Sequence, residues 1–379
     1  MRLMKHIICF FLCFLTLAAP AAYAEGTVET DAKAVLLMEA DTGEVLYEEN
    51  ADERLPIASV TKIMTMLLIA EAVDGGKIKL DDMVPVSENA MSYGGSTMFL
   101  EAGEELSVSD MLKGIAVASA NDGCVAMAEF LEGSETAFVE KMNEKASELG
   151  MENTSFMNTN GLDEDGHYSS ARDVAVMSRE LMTHPLIFDY TTIWTDTLRN
   201  GKFSLANTNK LIRFYNGANG LKTGSTSQAL CCISAAAKRG DMQLIAVVLG
   251  APTSAKRFSS AKALLDYGFA NYKTEKVLDP AEELERAPVS RGVSPDVGVR
   301  AAESYTVLRK KSGGGEITTE TVIDEPLRAP INEGDTVGRI IINDGETAVE
   351  KDAVAAENVM RKSFVEILTE FIAGFMARE

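Results

Sequence analysis

A serine followed three residues later by a lysine, Ser59 and Lys62 in PIASVTKIMTMLL, pairs a hydroxyl with an amine at the head of an apolar run. If that run is a helix, the spacing puts both side chains on one face, within reach of each other. A serine hydroxyl is a weak nucleophile at neutral pH and needs an adjacent base, and an amine serves only if it releases its proton easily. The plainer reading is a helix-capping serine and a lysine that lays its stem on apolar surface with its head in water. The choice depends on partners elsewhere in the chain.

Two further short motifs follow. LKGIAVASANDGCVAMAEFL carries Ser119-Ala120-Asn121 in an amphipathic helical region, and NGANGLKTGSTSQALCCISAAA carries Lys222-Thr223-Gly224 at the start of a strand. Each is weak alone; SxxK, SxN and KTG in that order are strong. A Ser-His-Asp mechanism has little to draw on, because beyond the first 24 residues only His167 and His184 remain. With no HExxH or similar cluster there is no zinc site, and no metal or organic cofactor is implied.

The elements that must position these residues follow from the pattern. AVLLMEADTGEVLYEEN reads as a hairpin from Ala34–Met38 to Val45–Tyr47 across Asp41, Thr42 and Gly43. A helix is expected from Ser59 to about Val73, stopped by Gly75 and Gly76. Helical patterns dominate from Val108 to His184, with a capping box at Ser170 and Asp173. Ala229–Ala237 and Met242–Leu249 read as a second hairpin, and Ser259–Tyr272 as a helix. A terminal hairpin, a helical middle and a closing hairpin with a helix let first and last strands share one sheet with helices against it. Short strands from Val277 to Ala353 suggest a small β-sandwich or barrel.

Arg2 and Lys5, an apolar run from Ile7 to Ala19 and the ending Ala22-Tyr23-Ala24 make residues 1–24 a secretory signal peptide, so the mature chain is expected to be exported and to start near Glu25. Cys9 and Cys13 leave with it. Cys124, Cys231 and Cys232 are too few for a disulfide framework and read as small core residues. Losing the leader's two bases leaves 34 bases against 57 acids, a net of −23, so nucleic acid is excluded as a partner.

With these motifs in this order, the chain resembles the penicillin-recognising serine acyl-transferases. Within them it is similar to the low-molecular-mass penicillin-binding proteins, the D-alanyl-D-alanine carboxypeptidases. The stretches DTGEVLYEENADERLPIASVTKIMTML, VASANDGCVAMAE, NTNGLDEDGHYSSARDVA and GLKTGSTSQA carry the likeness, which covers nearly the whole mature chain. It implies an α/β (α+β) protein: a β-lactamase/transpeptidase-like catalytic domain over 25–275, with a central antiparallel sheet flanked by helices, a small all-β domain over 276–354, and an amphipathic helix over 355–379. The implied reaction removes the terminal D-alanine from peptidoglycan stem peptides ending in D-Ala-D-Ala through an acyl-Ser59 intermediate, with β-lactams as covalent inhibitors.

The resemblance also assigns roles. Lys62 is the base, facing Lys222, whose charge and the burial of both push its proton off. Ser119 relays a proton to the leaving amine, and Asn121 holds Lys62 or the substrate carbonyl. Lys222 and Thr223, in a motif completed by Gly224, pair with the terminal carboxylate while their strand takes the peptide as an added strand. Backbone N–H groups of Ser59 and Ser225 stabilise the oxyanion, although the family usually carries a larger residue than Ser225. Arg257 in APTSAKRFSS is a further carboxylate ligand, set against its commoner use as a solvated arginine. His167 belongs to a motif used structurally. No ExxLN lies between Asn121 and Lys222, which argues against a class A β-lactamase, and the intact motifs argue against a wall-binding protein without catalysis.

Met360, Phe364, Ile367, Leu368, Phe371, Ile372 and Phe375 form one apolar helical stripe, with Arg361, Lys362, Glu366 and Glu370 on the other face. Charges at that density exclude a comfortable bilayer span. The helix is expected to lie in the membrane surface, holding the enzyme on the outer face of the cytoplasmic membrane; the alternative is a cap packed on the β domain.

Overall fold

The computed structural model describes residues 28–313, 316–343 and 348–376. The leader expected over 1–24, with Cys9 and Cys13, lies outside them.

Five antiparallel strands form the main sheet: β1 (Ala34–Glu39), β2 (Val45–Glu49), β3 (Ala218–Thr226), β4 (Leu230–Arg239) and β5 (Met242–Ala251), in the order β2-β1-β5-β4-β3. The first hairpin and the last therefore join through β1 and β5, Ala34 facing Leu249. All ten residues of β5 are buried, because helices cover both faces of the sheet. On one face Leu36, Met38, Ile245 and Val247 share a core with α1 (Lys62–Asp74), α2 (Asn121–Glu132) and α3 (Ala171–Met182). On the other, Leu37, Leu244 and Ala246 pack against Ala261, Leu264, Leu265 and Phe269 of α4 (Ser254–Asn271).

Four boundaries differ from the sequence reading, each for a local reason. Ser59 lies in a 3-10 turn, Ala58–Thr61, that precedes α1, and its side chain caps nothing. Ser119 is not within a helix. It joins a one-turn π-helix, Gly114–Ala118, to α2 with φ at +63°. Strand β3 begins at Ala218, so Lys222-Thr223-Gly224 occupies its middle. Helix α4 starts at Ser254 because the Thr253 hydroxyl accepts the Lys256 N–H, which puts Arg257 in its first turn.

The C-terminal part is all-β. Six strands run in the order Thr318–Ile323, Thr336–Asn343, Ala348–Ala355, Asp296–Ala301, Glu283–Ser290, Leu327–Arg328, and Tyr272–Leu278 pairs separately with Tyr305–Lys310. Val297, Val299, Ile340, Ile342 and Ala353 centre its own core. Backbone pairing continues past 355, with Val359 bonded to Ile331, Met360 to Val293 and Lys362 to Arg291. The tail helix, α5 (Phe364–Met376), therefore starts later than the apolar stripe places it. Its residues Phe364, Val365, Ile367, Leu368 and Ile372 are 40–78% exposed, unlike those of a cap packed on a core. No helix among the described residues is long and apolar enough to cross a membrane. Cys124, Cys231 and Cys232 are unpaired.

Candidate active site

The site forms where the Ala58–Thr61 turn, the start of α2, strand β3 and the segment around Asn160 converge. Lys62 is fully buried, and its Nζ has three neighbours: Ser59 Oγ at 2.9 Å, Asn121 Oδ1 at 2.7 Å and the Asn160 carbonyl oxygen at 2.6 Å. The Asn121 amide is oriented by its Nδ2, which donates to the Gly94 carbonyl at 2.7 Å. Two of the three neighbours of Lys62 thus only accept hydrogen bonds.

Burial holds the Lys62 amine down at about 8 from its usual 10.5, and the nearby Cys124 and Asp122 act the other way. A neutral amine has two N–H groups and one lone pair. The two N–H groups satisfy Asn121 Oδ1 and the Asn160 carbonyl, so the lone pair faces Ser59, the one neighbour with a proton to give. Lys222 is also buried and well below its ordinary range, by burial first and then by the charge of Lys62. Its Nζ donates to the Thr223 carbonyl at 2.9 Å, and Thr223 Oγ1 donates to Thr208 Oγ1 at 2.7 Å.

Close backbone packing keeps the turn in place. A Cβ on Gly224 would stand 2.6 Å from the Ile57 carbonyl oxygen and 2.9 Å from Ser59 N, so β3 passes Ser59 at a distance only glycine allows. Ala58 has φ at +49° and Ser119 at +63°, and each left-handed non-glycine residue costs about 1–2 kcal/mol. Two such residues, next to one motif serine and at the other, mark a site whose geometry outranks its stability. Ser119 is 4% exposed and closes the π-helix, its N–H donating to the Gly114 carbonyl and its backbone left-handed, so it is not a mid-helix serine.

The structure brings Ser59, Lys62, Asn121, Lys222 and Gly224 together, with Ser119 and Thr223 in the same buried segments. Ser225 is exposed and pairs in register with Cys231. Arg257 departs from the solvated reading: it is 7% exposed, and its Nη1 donates to the carbonyls of Gly224 at 3.1 Å and Cys232 at 3.3 Å. Its Nε is buried without a partner.

Several supports are not visible in the motifs. Asn160 acts through its backbone carbonyl, which no residue type signals. Gly161 lies against the turn, where a Cβ would meet the Ala58 carbonyl oxygen at 1.9 Å. Asp122, buried beside Asn121, accepts the N–H groups of Met98 and Leu100 at 3.1 Å and so holds the loop that orients Asn121. His167 Nδ1 accepts the Met157 N–H at 3.1 Å, which leaves Nε2 to donate to Thr61 Oγ1 at 2.7 Å. Burial pushes His167 down to about 4, so it stays neutral and braces the turn. Among the described residues one group of side chains is placed to share a cation, Glu71, Glu180 and His184. Glu71 lies near the C-terminal end of α1, whereas Lys62 opens it.

Comparison with known proteins gives a consistent picture. Residues 20–253 match the D-alanyl-D-alanine carboxypeptidase family, and residues 272–361 match the penicillin-binding protein 5 C-terminal domain. The chain is 45% identical over 361 residues to the D-alanyl-D-alanine carboxypeptidase DacF of Bacillus subtilis, covering 92% of this chain and 93% of that one. Penicillin-binding protein 5 of Haemophilus influenzae superposes with a TM-score of 0.73 at 32% identity, covering 88% and 98% of the two chains. Penicillin-binding protein D2 of Listeria monocytogenes, solved in its ampicillin-bound form, superposes with a TM-score of 0.56 at 34% identity, covering 64% and 99%.

Proposed function

The chain belongs to the D-alanyl-D-alanine carboxypeptidase family and is a serine-type enzyme of that activity, and from this premise we propose that Ser59 carries the acyl group. The observation that supports this reading is the buried Lys62 amine 2.9 Å from Ser59 Oγ, held low enough to lose its proton near pH 8 and then turn its lone pair to that hydroxyl. Ser59 Oγ bonds to the carbonyl carbon of the penultimate D-alanine as its proton passes to Lys62. The C–N bond then breaks, and the leaving D-alanine amine takes a proton through Ser119. Water attacks the ester, Lys62 again takes the proton, and Ser59 is released. N–H groups of Ser59 and Ser225 receive the oxyanion, a role in which one donor is worth about 3–4 kcal/mol. Lys222, Thr223 and Arg257 meet the substrate's terminal carboxylate, and Gly224 gives the peptide room beside the turn. β-Lactams acylate the same serine; the ampicillin-bound Listeria relative supports that.

Residues 1–24 direct export and are removed, the catalytic domain follows and ends before Tyr272, the small β domain runs from there to Lys362, and the helix from Phe364 is the membrane-associating segment. The mature enzyme works on the outer face of the cytoplasmic membrane, where its substrate lies. Exposed apolar residues along α5 support attachment to a lipid surface.

Incubation of the mature protein with a stem pentapeptide should release one D-alanine per peptide, and a fluorescent penicillin should label it on Ser59. Labelling that survives Ser59→Ala, or no D-alanine release by wild type, overturns the reading.

A further inference from the structure

The segment that gives Lys62 its second acceptor, the Asn160 carbonyl, must itself be held still. Within it, Asn158 Oδ1 accepts the Gly161 N–H at 2.7 Å, Asn158 Nδ2 donates to the Leu162 carbonyl at 3.1 Å, and Asn160 Oδ1 accepts the Leu162 N–H at 3.1 Å. These bonds make the loop a unit and attach it to nothing. At its start, Thr65 Oγ1 on α1 donates to the Thr159 carbonyl at 2.5 Å. Beyond Asn160, Gly161 packs on the turn and His167 bonds Thr61, and the side-chain tie to β3 is Asp163: Oδ1 accepts from Thr226 Oγ1 at 2.5 Å and Oδ2 from Ser227 Oγ at 3.2 Å. The Thr226 hydroxyl oxygen accepts the Ala229 N–H at 3.0 Å, so its proton is committed to Asp163. Thr226 closes β3, two residues beyond Gly224.

Building on the reading of Ser59 and Lys62 given above, we propose that Asp163 is a positioning residue for acylation. Its carboxylate ties the loop bearing the Asn160 carbonyl to the far end of β3, and so keeps that carbonyl on Lys62. Asp163 is exposed and touches no reacting atom. It acts on geometry, spanning from the element that holds the base to the strand that receives the peptide. Without it the loop loses its tie to β3 and is held only on the α1 side, through Thr159, Gly161 and His167, and water gains access to Lys62 Nζ from the β3 side.

The test compares Asp163→Ala, Asp163→Asn and Thr226→Val with wild type by the second-order rate of labelling with a fluorescent penicillin from pH 5 to 10, alongside thermal melting. The groups facing Lys62 are Cys124 and Asp122 from α2, Lys222 from β3 and His167 from the loop's far end, and none of them is substituted in the three variants. Asp163→Ala and Thr226→Val should slow labelling at pH 7 by about tenfold, since small misplacements in a site are costly. Both should move the acid limb to higher pH, because admitting water relieves the burial that depresses Lys62. Asp163→Asn keeps an acceptor and should restore most of the rate with the wild-type limb. Wild-type rates and limb in Asp163→Ala overturn the proposal, as does a slow rate with an unmoved limb and a lowered melting point, the mark of a structural role alone. A limb moved equally by Asp163→Asn also overturns it, by assigning the effect to charge. Failure of wild type itself to label would instead sink the underlying reading of Ser59.

Discussion

Gly161→Ala tests whether the catalytic turn is held by contact rather than by sequence alone. The added Cβ would lie 1.9 Å from the Ala58 carbonyl oxygen, 2.4 Å from its carbonyl carbon and 2.8 Å from Thr61 Oγ1. An ordinary C···O contact requires the two to separate by about 1.5 Å more. The group displaced is the peptide immediately before Ser59, already at φ +49°. Position 161 itself sits at φ +84°, which costs alanine about 1–2 kcal/mol. Overpacking adds about 1–3 kcal/mol. The melting point should therefore fall by roughly 4–20 °C, at about 2–4 °C per kcal/mol for a unit of this size. A shift of about 1 Å in the nucleophile should slow acylation about 100-fold. The control is Gly76→Ala, at φ +70° with open space around it, which should cost only the backbone part and leave acylation unchanged. Melting within 2 °C of wild type together with acylation within about threefold for Gly161→Ala would refute the packing argument.

Three further outcomes follow from the structure. Acylation should rise with pH through an apparent pKa of about 8, the point at which Lys62 loses its proton. Because its folded pKa lies below the unfolded 10.5, the native state binds fewer protons between pH 8 and 10.5, so this group makes stability increase with pH across that window. The full effect is about 3 kcal/mol at one unit per 1.4 kcal/mol, and Lys62→Met should flatten the rise of melting temperature with pH. Ending the chain after Lys362 keeps the Val359 and Lys362 pairings intact and removes α5. That protein should release D-alanine at the wild-type rate yet lose co-sedimentation with liposomes at low and high salt alike, and equal pelleting of the two forms would refute lipid attachment.

Side-chain patterns reported much of this protein, and backbone facts escaped them. The two hairpins, the helices between them and the Ser59, Lys62, Ser119, Asn121 and Lys222 set were legible because each rests on residue type and spacing. The start of α4 was missed because its cap, Thr253, lies ahead of the apolar period that defines the helix. Arg257 read as solvated because arginine is usually exposed, whereas the two carbonyls it satisfies belong to strands far away in sequence. Asn160 contributes a carbonyl that every residue possesses, and its role depends on where Gly161 lets the chain pass. Asp122 could have been suspected from its place beside Asn121, but its partners are backbone N–H groups about 22–24 residues earlier.

The pairing of β1 with β5 bears on how the enzyme comes into being. Ser59 and Lys222 are about 160 residues apart, and the strands that frame them close only when Ala34 meets Leu249. Contacts of such long range make folding slow, since the chain must lose loop entropy before they form. Until that closure, Lys62 is an ordinary wet ammonium and Ser59 an ordinary hydroxyl. A fragment ending before Met242 would contain both residues without the strand that closes their sheet, and is expected to lack their reactivity. Activity is therefore expected to arrive with the pairing of β5 on β1, and a molecule lacking that pairing should be as blind to penicillin as an unfolded one.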